Sequence, residues 1–255
     1  MTAAQIRFFT LWRREVNRFL KIKKQTIGAP LLETFLYISV FGAALGSRID
    51  KLHGVDYVVF IVPGLILMAW AMNAFTNNSS SILQQKFQRA IDDQLSSPAS
   101  PRELLLALSL GGFVRGMIVA VLTFGAARVL VDVPIDHVLV LVAALFLVGF
   151  FFAQLGLLVG VRAEQFDDVS IAQQFVLQPL IFLGGVFYSA SLLPEPFQTL
   201  THFNPIYYMI NLVRYGFLGY TEANVALSLA LLTLATAALF TLNLRLFNVG
   251  WKLRA

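Results

Sequence analysis

The chain alternates long apolar stretches with short polar ones, and six of the apolar stretches are long enough to cross a membrane. A helical span needs about 20 apolar residues, because lipid offers no hydrogen-bond partners to an exposed backbone. Four of the six stretches contain no charged residue. The predicted spans are residues 28–47, 57–76, 104–127, 138–161, 169–190 and 223–244. The pattern predicts an all-α polytopic membrane protein with six transmembrane helices.

A semi-apolar stretch, residues 191–222, separates the fifth and sixth spans. Pro194, Pro196 and the pair Asn204-Pro205 interrupt it too often for a full span. We expect short helices that dip into the outer interface as a re-entrant hairpin. The whole chain, 1–255, is predicted to be one membrane domain. Its parts are an interfacial helix (1–27), spans one to five (28–190), the outer helices (191–222), and span six with its tail (223–255).

The basic residues favour one side of the membrane, and this asymmetry predicts the orientation. Lys and Arg are enriched in cytoplasmic loops. Of the 19 basic residues, fourteen fall on the side of the two termini and four on the other. The fourteen are Arg7, Arg13, Arg14, Arg18, Lys21, Lys23, Lys24, Lys86, Arg89, Arg102, Arg162, Arg245, Lys252 and Arg254; the four are Arg48, Lys51, Arg128 and Arg214. Both termini are therefore predicted to be cytoplasmic.

The composition agrees with a lipid-facing surface. Apolar residues make up 58% of the chain and charged residues 13%, whereas soluble domains carry about 25% charged residues. The net charge of +5 comes from basic residues that flank the spans, which argues against nucleic-acid binding. The absence of cysteine excludes disulfides, Cys-based metal sites and thiol nucleophiles.

The N-terminal segment, residues 1–27, is basic and amphipathic. Its apolar residues recur at three- and four-residue spacing: Ile6, Phe9, Trp12, Val16, Phe19 and Leu20. Such a helix lies in the headgroup plane with its cations near anionic lipid. It lacks the features of a cleavable signal peptide, so the first span is expected to remain as an anchor. The helix could be a topology anchor alone or a lateral gate for an amphiphilic substrate from the inner leaflet.

The loop at 77–102 predicts a helix over residues 83–95, which stops before Pro98. Phe87, Ile91 and Leu95 repeat every four residues and predict one apolar stripe. The charged neighbours of this stripe are Lys86, Arg89, Asp92 and Asp93. An amphipathic helix outside the lipid must lie on the membrane or enter a groove of a partner protein. The balanced charge favours a partner.

The short loop at 162–168 carries a net negative charge on a side that is otherwise positive. Two interpretations stay open. Asp168 could be the N-cap of the fifth span in a solvated turn. Alternatively, Phe166, Asp167 and Asp168 could form a second docking contact.

Arg115 lies near the middle of the third predicted span. A charge there costs about 2.5–3.5 kcal/mol on insertion scales, so it should face the bundle interior and have a partner. Glu33 in the first span is one candidate, although it lies nearer the cytoplasmic face. The neighbouring glycines Gly111, Gly112 and Gly116 would allow close helix approach. A structural clamp and a role in a transport pathway are both open.

Motifs of enzymatic chemistry are missing from the sequence. His53, His137 and His202 lie in or beside outward loops and lack metal-ligand spacing. The chain has no Gly-x-Ser-x-Gly elbow, no paired carboxylates within a span and no Gly-x-x-x-x-Gly-Lys-Ser/Thr phosphate loop. We therefore expect no catalytic site, no metal site and no ATP hydrolysis by this chain.

Three stretches together resemble a known family. The first is Lys86-Phe87-Gln88-Arg89 followed by Leu95-Ser96-Ser97-Pro98, and the second is Phe166-Asp167-Asp168-Val169-Ser170. The third joins Leu183-Gly184-Gly185-Val186-Phe187-Tyr188-Ser189, Leu193-Pro194, Asn204-Pro205-Ile206-Tyr207-Tyr208-Met209 and Arg214-Tyr215-Gly216-Phe217-Leu218-Gly219. In these stretches, its length and its span count, the chain resembles the permease subunits of type-2 ABC exporters, which are bacterial efflux-type transporters.

The resemblance implies a complex in the bacterial cytoplasmic (inner) membrane. Such permeases pair as homodimers and bind two copies of a separate ATPase, which holds the ATP and Mg, so no cofactor is expected in this chain. The 83–95 helix would be the coupling helix, the 162–168 loop a smaller contact, and residues 1–24 the elbow helix. The implied ATPase-coupling residues are Lys86, Phe87, Gln88, Arg89, Ile91, Asp92, Asp93, Leu95, Phe166, Asp167 and Asp168.

The resemblance also implies that the outer helices close the exit for an amphiphilic cargo such as a drug, lipid or glycan. The implied gate residues are Phe187, Tyr188, Asn204, Pro205, Tyr207, Tyr208, Arg214 and Tyr215. Their aromatic rings could equally form a belt at headgroup level, so they do not select the cargo. A self-contained secondary transporter or channel is the alternative, with only Glu33 and Arg115 available for an ion relay. The missing catalytic residues disfavour a membrane-embedded enzyme.

Overall fold

The computed structural model describes residues 2–21, 26, 28–45 and 51–253. Lys23, Lys24, Arg48 and Arg254, which entered the orientation prediction, lie outside the described residues, as do parts of the predicted 1–27 helix and the end of the 28–47 span. The helices are α1 (Ala3–Leu20), α2 (Ala29–Leu45), α3 (Tyr57–Phe87), α4 (Ala90–Ser96), α5 (Pro101–Leu130), α6 (Val138–Arg162), α7 (Phe166–Ile171), α8 (Gln178–Leu183), α9 (Glu195–Phe203), α10 (Pro205–Leu218) and α11 (Val225–Val249). A π-helical segment (Ala172–Leu177) joins α7 to α8, and a 3₁₀ turn (Ala190–Leu192) precedes α9.

Four helices, α3, α5, α6 and α11, are long and apolar enough to cross a membrane. They match the second, third, fourth and sixth predicted spans. Helix α3 lies at the centre and packs along α5 and α6. Small residues allow the close approach: a Cβ on Gly160 of α6 would lie 2.7 Å from the Ser79 backbone oxygen of α3.

The first and fifth predicted spans correspond to shorter or interrupted helices. Helix α2 has 17 residues. The fifth span is helical from α7 through the π segment to Leu183 and stops before its predicted end at 190. Gly185 adopts φ +90, which only glycine reaches without strain, and the chain turns there. That α2 and α7–α8 cross the membrane remains a prediction.

The predicted continuous helix over 83–95 is wrong. Helix α3 runs to Phe87, Arg89 adopts a left-handed φ of 54, and α4 begins at Ala90. The break turns the two halves apart, so Phe87 is 57% exposed whereas Ile91 is 1% exposed and packs with apolar residues of α5. Phe87, Ile91 and Leu95 therefore do not form one stripe, because the break at Arg89 interrupts the helical periodicity between Phe87 and Ile91.

The region outside the long helices contains a small hairpin and a buried helix. Strands β1 (Lys51–Leu52) and β2 (Val55–Asp56) pair antiparallel. Positive φ at His53 and Gly54 gives the tight two-residue turn, which the all-α prediction omitted. Helix α10, inside the predicted re-entrant stretch, is mostly buried and packs on α3, α6 and α11. Its depth in the membrane remains a prediction.

Candidate functional site

The loops gather at two ends of the helix bundle. The basal end comprises α1, α4, the α6–α7 turn and residues 250–253; Arg14 of α1 bonds Gln94 of α4 at 3.0 Å. The distal end comprises the β hairpin, residues 131–137, 184–194 and 219–224; His53 Nε2 lies 3.0 Å from Ser189 Oγ. The two predicted coupling segments share the basal end.

An exposed aromatic pair joins these two segments. Phe87 is the last residue of α3 and Phe166 the first of α7. Their rings stack with centroids 5.3 Å apart and planes 8° apart. They are 57% and 51% exposed. Two segments that lie far apart in the sequence thus present one apolar surface, the ring pair.

Lys86 and Asp168 hold the backbone around the ring pair. Lys86 Nζ donates to the carbonyl oxygens of Val161 (3.0 Å) and Ala163 (2.7 Å), which caps the end of α6. Asp168 Oδ2 accepts from the N–H groups of Glu164 (2.8 Å) and Gln165 (3.0 Å). These backbone hydrogen bonds lower the pKa of Asp168. Both side chains position the turn.

Asp168 therefore acts at a different helix position from the one predicted. The N-cap of α7 is Gln165, and Asp168 is the third helical residue, whose carboxylate reaches back to the cap. The interpretation of Asp168 as the N-cap is therefore wrong in position. The Asp168 carboxylate nevertheless accepts hydrogen bonds from the backbone N–H groups at the start of α7. Asp167 is exposed beside it and free to face a partner.

A buried carboxylate that sequence analysis missed fastens α1 to the bundle. Glu15 is 1% exposed. Its Oε2 accepts from Ser81 Oγ at 2.5 Å, and its Oε1 accepts from Gln85 Nε2 at 3.2 Å. Arg14 and Arg18 of α1 pair with the same carboxylate at 3.0 and 3.4 Å. The charge is buried but fully paired.

The hydrogen-bonded side chains around Glu15, which we call the polar layer, also include Gln94 of the predicted coupling segment. Gln94 of α4 donates to Gln85 Oε1 at 2.6 Å and accepts from Arg14 at 3.0 Å. Arg18 Nη2 also donates to the Asn77 carbonyl oxygen at 2.7 Å. Helices α1, α3 and α4 are therefore bonded to one another by side chains, so displacement of α4 acts on α1 and α3 directly.

A cavity of about 300 Å³ lies between α2, α3, α5 and the α7–α8 helix. Its polar lining residues include Glu33, Tyr37, Asn73, Thr76, Arg115, Gln173 and Gln178. Thr76 Oγ1 donates to Gln173 Oε1 at 3.0 Å across two of these helices. The cavity brings polar side chains of four helical segments together inside the bundle.

Arg115 faces this cavity, as predicted for an interior-facing charge. It is 6% exposed, and its Nε has no hydrogen-bond partner among the described residues. Glu33 lines the same cavity but makes no ion pair with Arg115 in the described part of the chain. The expected pairing is thus not formed. Gly116 sits against Trp70, with 2.9 Å from its built Cβ to the Trp70 carbonyl oxygen, so the predicted close approach is confirmed.

Arg214 of α10 fastens the turn at residues 185–187 at the distal end. It is 1% exposed and donates to the Gly185 carbonyl oxygen at 2.7 Å. Its guanidinium lies 3.9 Å from the centre of the Phe60 ring, a favourable cation–π distance. Tyr57 Oη donates to the Phe187 carbonyl oxygen at 3.0 Å. The turn at residues 185–187 is therefore bonded to α3 through Tyr57, and Arg214 contacts α3 through Phe60.

The other predicted gate residues have mixed positions. Asn204 caps α10 by accepting from Ile206 N at 3.0 Å, and Pro205 is the first helical residue. Tyr207 is 3% exposed, which separates it from a lipid-facing belt. Tyr208 and Tyr215 are half-buried, as is Tyr188. Tyr215 stacks on His137 with centroids 4.3 Å apart.

A second missed cluster closes the distal end. Glu222 accepts from Ser189 Oγ and from Ala190 N, the latter at 3.0 Å. His53 stacks on Tyr220 with centroids 4.3 Å apart. His53 contacts both Ser189 and Glu222 through the same nitrogen, Nε2, so the three do not form the relay of a catalytic triad. The cluster of His53, Ser189 and Glu222 connects the β hairpin to residues 189–222. We call it the latch.

Comparison with known proteins identifies the family. A family model described as ABC-2 type transporter matches residues 6–218. The chain is 39% identical over 246 residues to the inner membrane transport permease YadH of Escherichia coli K12, covering 96% of each chain. It is 26% identical over 261 residues to Nodulation protein J of Rhizobium leguminosarum bv. viciae, covering 97% of this chain and 96% of the relative. With its apolar helices, it is a multi-pass protein of the bacterial inner membrane. The chain belongs to the ABC-2 type transporter family, as the transmembrane subunit of an ABC transporter whose ATPase is a separate partner.

Proposed function

We propose that this permease exports an amphiphilic substrate when a partner ATPase hydrolyses ATP. The transporter contains two copies of this chain and two of the ATPase. Six spans cross the membrane, residues 191–222 form the re-entrant outer hairpin, and the basal end faces the cytoplasm with both termini. The basic residues of α1, such as Arg13 and Lys21, support this orientation.

The ring pair is the observation that carries the ATPase contact. Contiguous exposed apolar surface at a polar end of a protein marks an interaction site, and aromatic residues are enriched at the centre of interfaces. Gln88, Arg89 and Asp167 are exposed around the rings and supply a polar rim. Burial of the two exposed rings in a shallow groove of a partner is more favourable than their exposure to water.

Motion of the ATPase passes into the spans through the polar layer. The ring pair ends α3 and begins α7, so a force on it acts along both helices. Gln94 carries the same displacement to α1. Approach of two ATPase copies on binding ATP would draw the basal ends together and part the distal ends, which permits outward release.

The polar cavity supports an amphiphilic cargo and a second copy of the chain. Its volume of about 300 Å³ is at the lower limit of ligand pockets, which span about 300–1,000 Å³. Such a cavity holds a polar headgroup and little more. Glu33 is exposed at its edge, so the cavity is open on the α2 side, where a second copy would complete it.

Substitution of the ring pair tests the proposal. Phe87→Asp and Phe166→Asp should each abolish co-purification of the ATPase and ATP-driven transport in proteoliposomes, because a carboxylate replaces the apolar contact. Phe87→Tyr keeps the ring and should retain both. Insertion into the membrane should be unchanged in all three.

Two results would contradict the proposal. If Phe87→Asp bound the ATPase like the wild type, the ring pair would not be the coupling contact. If the reconstituted permease moved cargo without ATP or an ATPase, a secondary transporter would be the better description.

A further inference from the structure

A wide groove separates α1 from the turn between α3 and α4. Its volume is about 1130 Å³. We call it the basal groove. The α1 wall contains Arg13, Leu20 and Lys21, and the opposite wall contains Gln84 and Gln88. Gln88 directly follows Phe87, so one end of the groove adjoins the ring pair.

The basal groove carries an excess of positive charge. Four cationic side chains line it, Arg13, Arg14, Arg18 and Lys21, with Glu15 as the one carboxylate. The Glu15 carboxylate already bonds Ser81 and Gln85 and pairs with Arg14 and Arg18. It therefore does not compensate the charges of Arg13 and Lys21. The side chains of Arg13 and Lys21 are exposed and make no hydrogen bond or ion pair with any other described residue. The positive charges of Arg13 and Lys21 therefore favour the binding of an anion in the groove.

Apolar residues adjoin Arg13 on the same side of α1, and Lys21 follows directly after the last residue of that helix. Residues seven apart drift by only about 20° around a helix, so Ile6, Arg13 and Leu20 lie nearly in line. Ile6 is 54% and Leu20 37% exposed. A phosphate alone would need only the cations. An amphiphile with a phosphate would use the cations and the apolar residues together.

We propose that the basal groove binds the phosphate of an anionic phospholipid from the adjacent leaflet. Arg13 and Lys21 contact the phosphate, the amide of Gln84 contacts the headgroup oxygens, and the first part of an acyl chain lies on Leu20. This site does not depend on the ATPase or on transport. It requires only that α1 lie at the membrane surface.

Lipid counting on the intact permease tests this site. We would purify the full chain and measure, by native mass spectrometry, its binding of phosphatidylglycerol and of phosphatidylcholine with the same acyl chains. The wild type should prefer phosphatidylglycerol. Each of Arg13→Gln and Lys21→Gln should weaken that binding roughly fivefold, and the double variant about 30-fold, since each cation near an anionic surface contributes about one kcal/mol.

Matched variants separate a specific site from general attraction. Arg13→Lys combined with Lys21→Arg keeps both charges and should bind like the wild type. Arg102→Gln removes an exposed basal charge outside the groove and should have no effect. Equal losses in Arg102→Gln and Arg13→Gln would overturn the site in favour of diffuse charge.

Soluble competitors separate the lipid from a free anion. Inorganic phosphate and glycerol 3-phosphate should displace phosphatidylglycerol poorly, because they lack the acyl chain. Competition by either at the affinity of the lipid would overturn the lipid assignment. So would a double variant that keeps its phosphatidylglycerol but loses the ATPase, which would make the groove a protein contact.

Discussion

Replacing Glu15 by alanine should release α1 from the bundle. In the native structure this carboxylate is buried at 1% exposure and has four side-chain partners. Alanine leaves the buried Ser81 hydroxyl of α3 without its acceptor, and the amide nitrogen of Gln85 keeps only its bond to Ser81 Oγ at 2.9 Å. Arg14 and Arg18 lose their counter-ion. Glu15→Gln keeps the shape and one acceptor oxygen but removes the charge.

The size of the effect depends on how far the orphaned groups can reach water. Removing one partner of a buried ion pair costs about 3–5 kcal/mol. The side chains of Arg14 and Arg18 are 43% and 25% exposed, so both can hydrate in part, which favours the lower limit. Each buried polar group left unsatisfied costs about 1–3 kcal/mol. We expect α1 docking to weaken by about 3 kcal/mol, or about 150-fold; Glu15→Gln should show about half that free energy.

Hydrogen–deuterium exchange of the purified permease measures this release directly. Backbone amides of α1 should exchange faster by up to the factor above, while amides of α10, which packs on α3, α6 and α11, keep their rates. Asp93→Asn removes an exposed basal carboxylate and is the matched control. Exchange in α1 of Glu15→Ala within about threefold of the wild type would correspond to less than one kcal/mol and would refute the buried-pair explanation.

Substitutions at three further sites test the packing, the latch and the cavity. Gly111→Ala puts a methyl group 2.7 Å from Glu15 Cβ and should destabilise by about 1–3 kcal/mol, whereas Gly125→Ala in the same helix meets nothing within 4 Å and should not lower the thermal unfolding temperature. Glu222→Ala removes the acceptor of two distal groups and should speed amide exchange over residues 51–56 by about tenfold; unchanged exchange there would dismiss the latch. Arg115→Ala should impair transport while assembly and stability persist, since the charge makes no ion pair with another residue of the described ranges; wild-type transport would exclude Arg115 from the pathway.

Hydropathy predicted most of the membrane-crossing elements because lipid requires long uninterrupted apolar helices. It could not predict where helices end outside the apolar stretch. Residues 77–82 are mostly polar and lie in the predicted loop before the 83–95 helix, yet α3 continues through them. Asn78 donates to the Ala153 carbonyl oxygen of α6 at 2.9 Å, and Ser79 donates to the Phe75 carbonyl oxygen at 2.9 Å. Polar side chains that bond inside the bundle leave a composition like that of a loop.

The candidate sites were predictable only where the chemistry was local. The ring pair lies in segments chosen from their sequences, although its stacking needs the fold. Glu15 escaped notice because its partners are 66 and 70 residues away. A signal was present, however: Leu11, Glu15 and Phe19 are four residues apart, so the carboxylate lies on the stripe that faces the core. A lone acid on such a stripe indicates a buried pair.

The bonds of Glu15 also constrain the order in which the protein can mature. Glu15 leaves the ribosome before Ser81, which follows 66 residues later; at about 5–20 residues per second this is a delay of roughly 3–13 seconds. Gly111, whose missing side chain makes room for Glu15, emerges later still. During that interval the carboxylate has no partner outside its own helix and must remain hydrated at the membrane surface. Helix α1 therefore reaches its native position only after α3 and α5 have been synthesised.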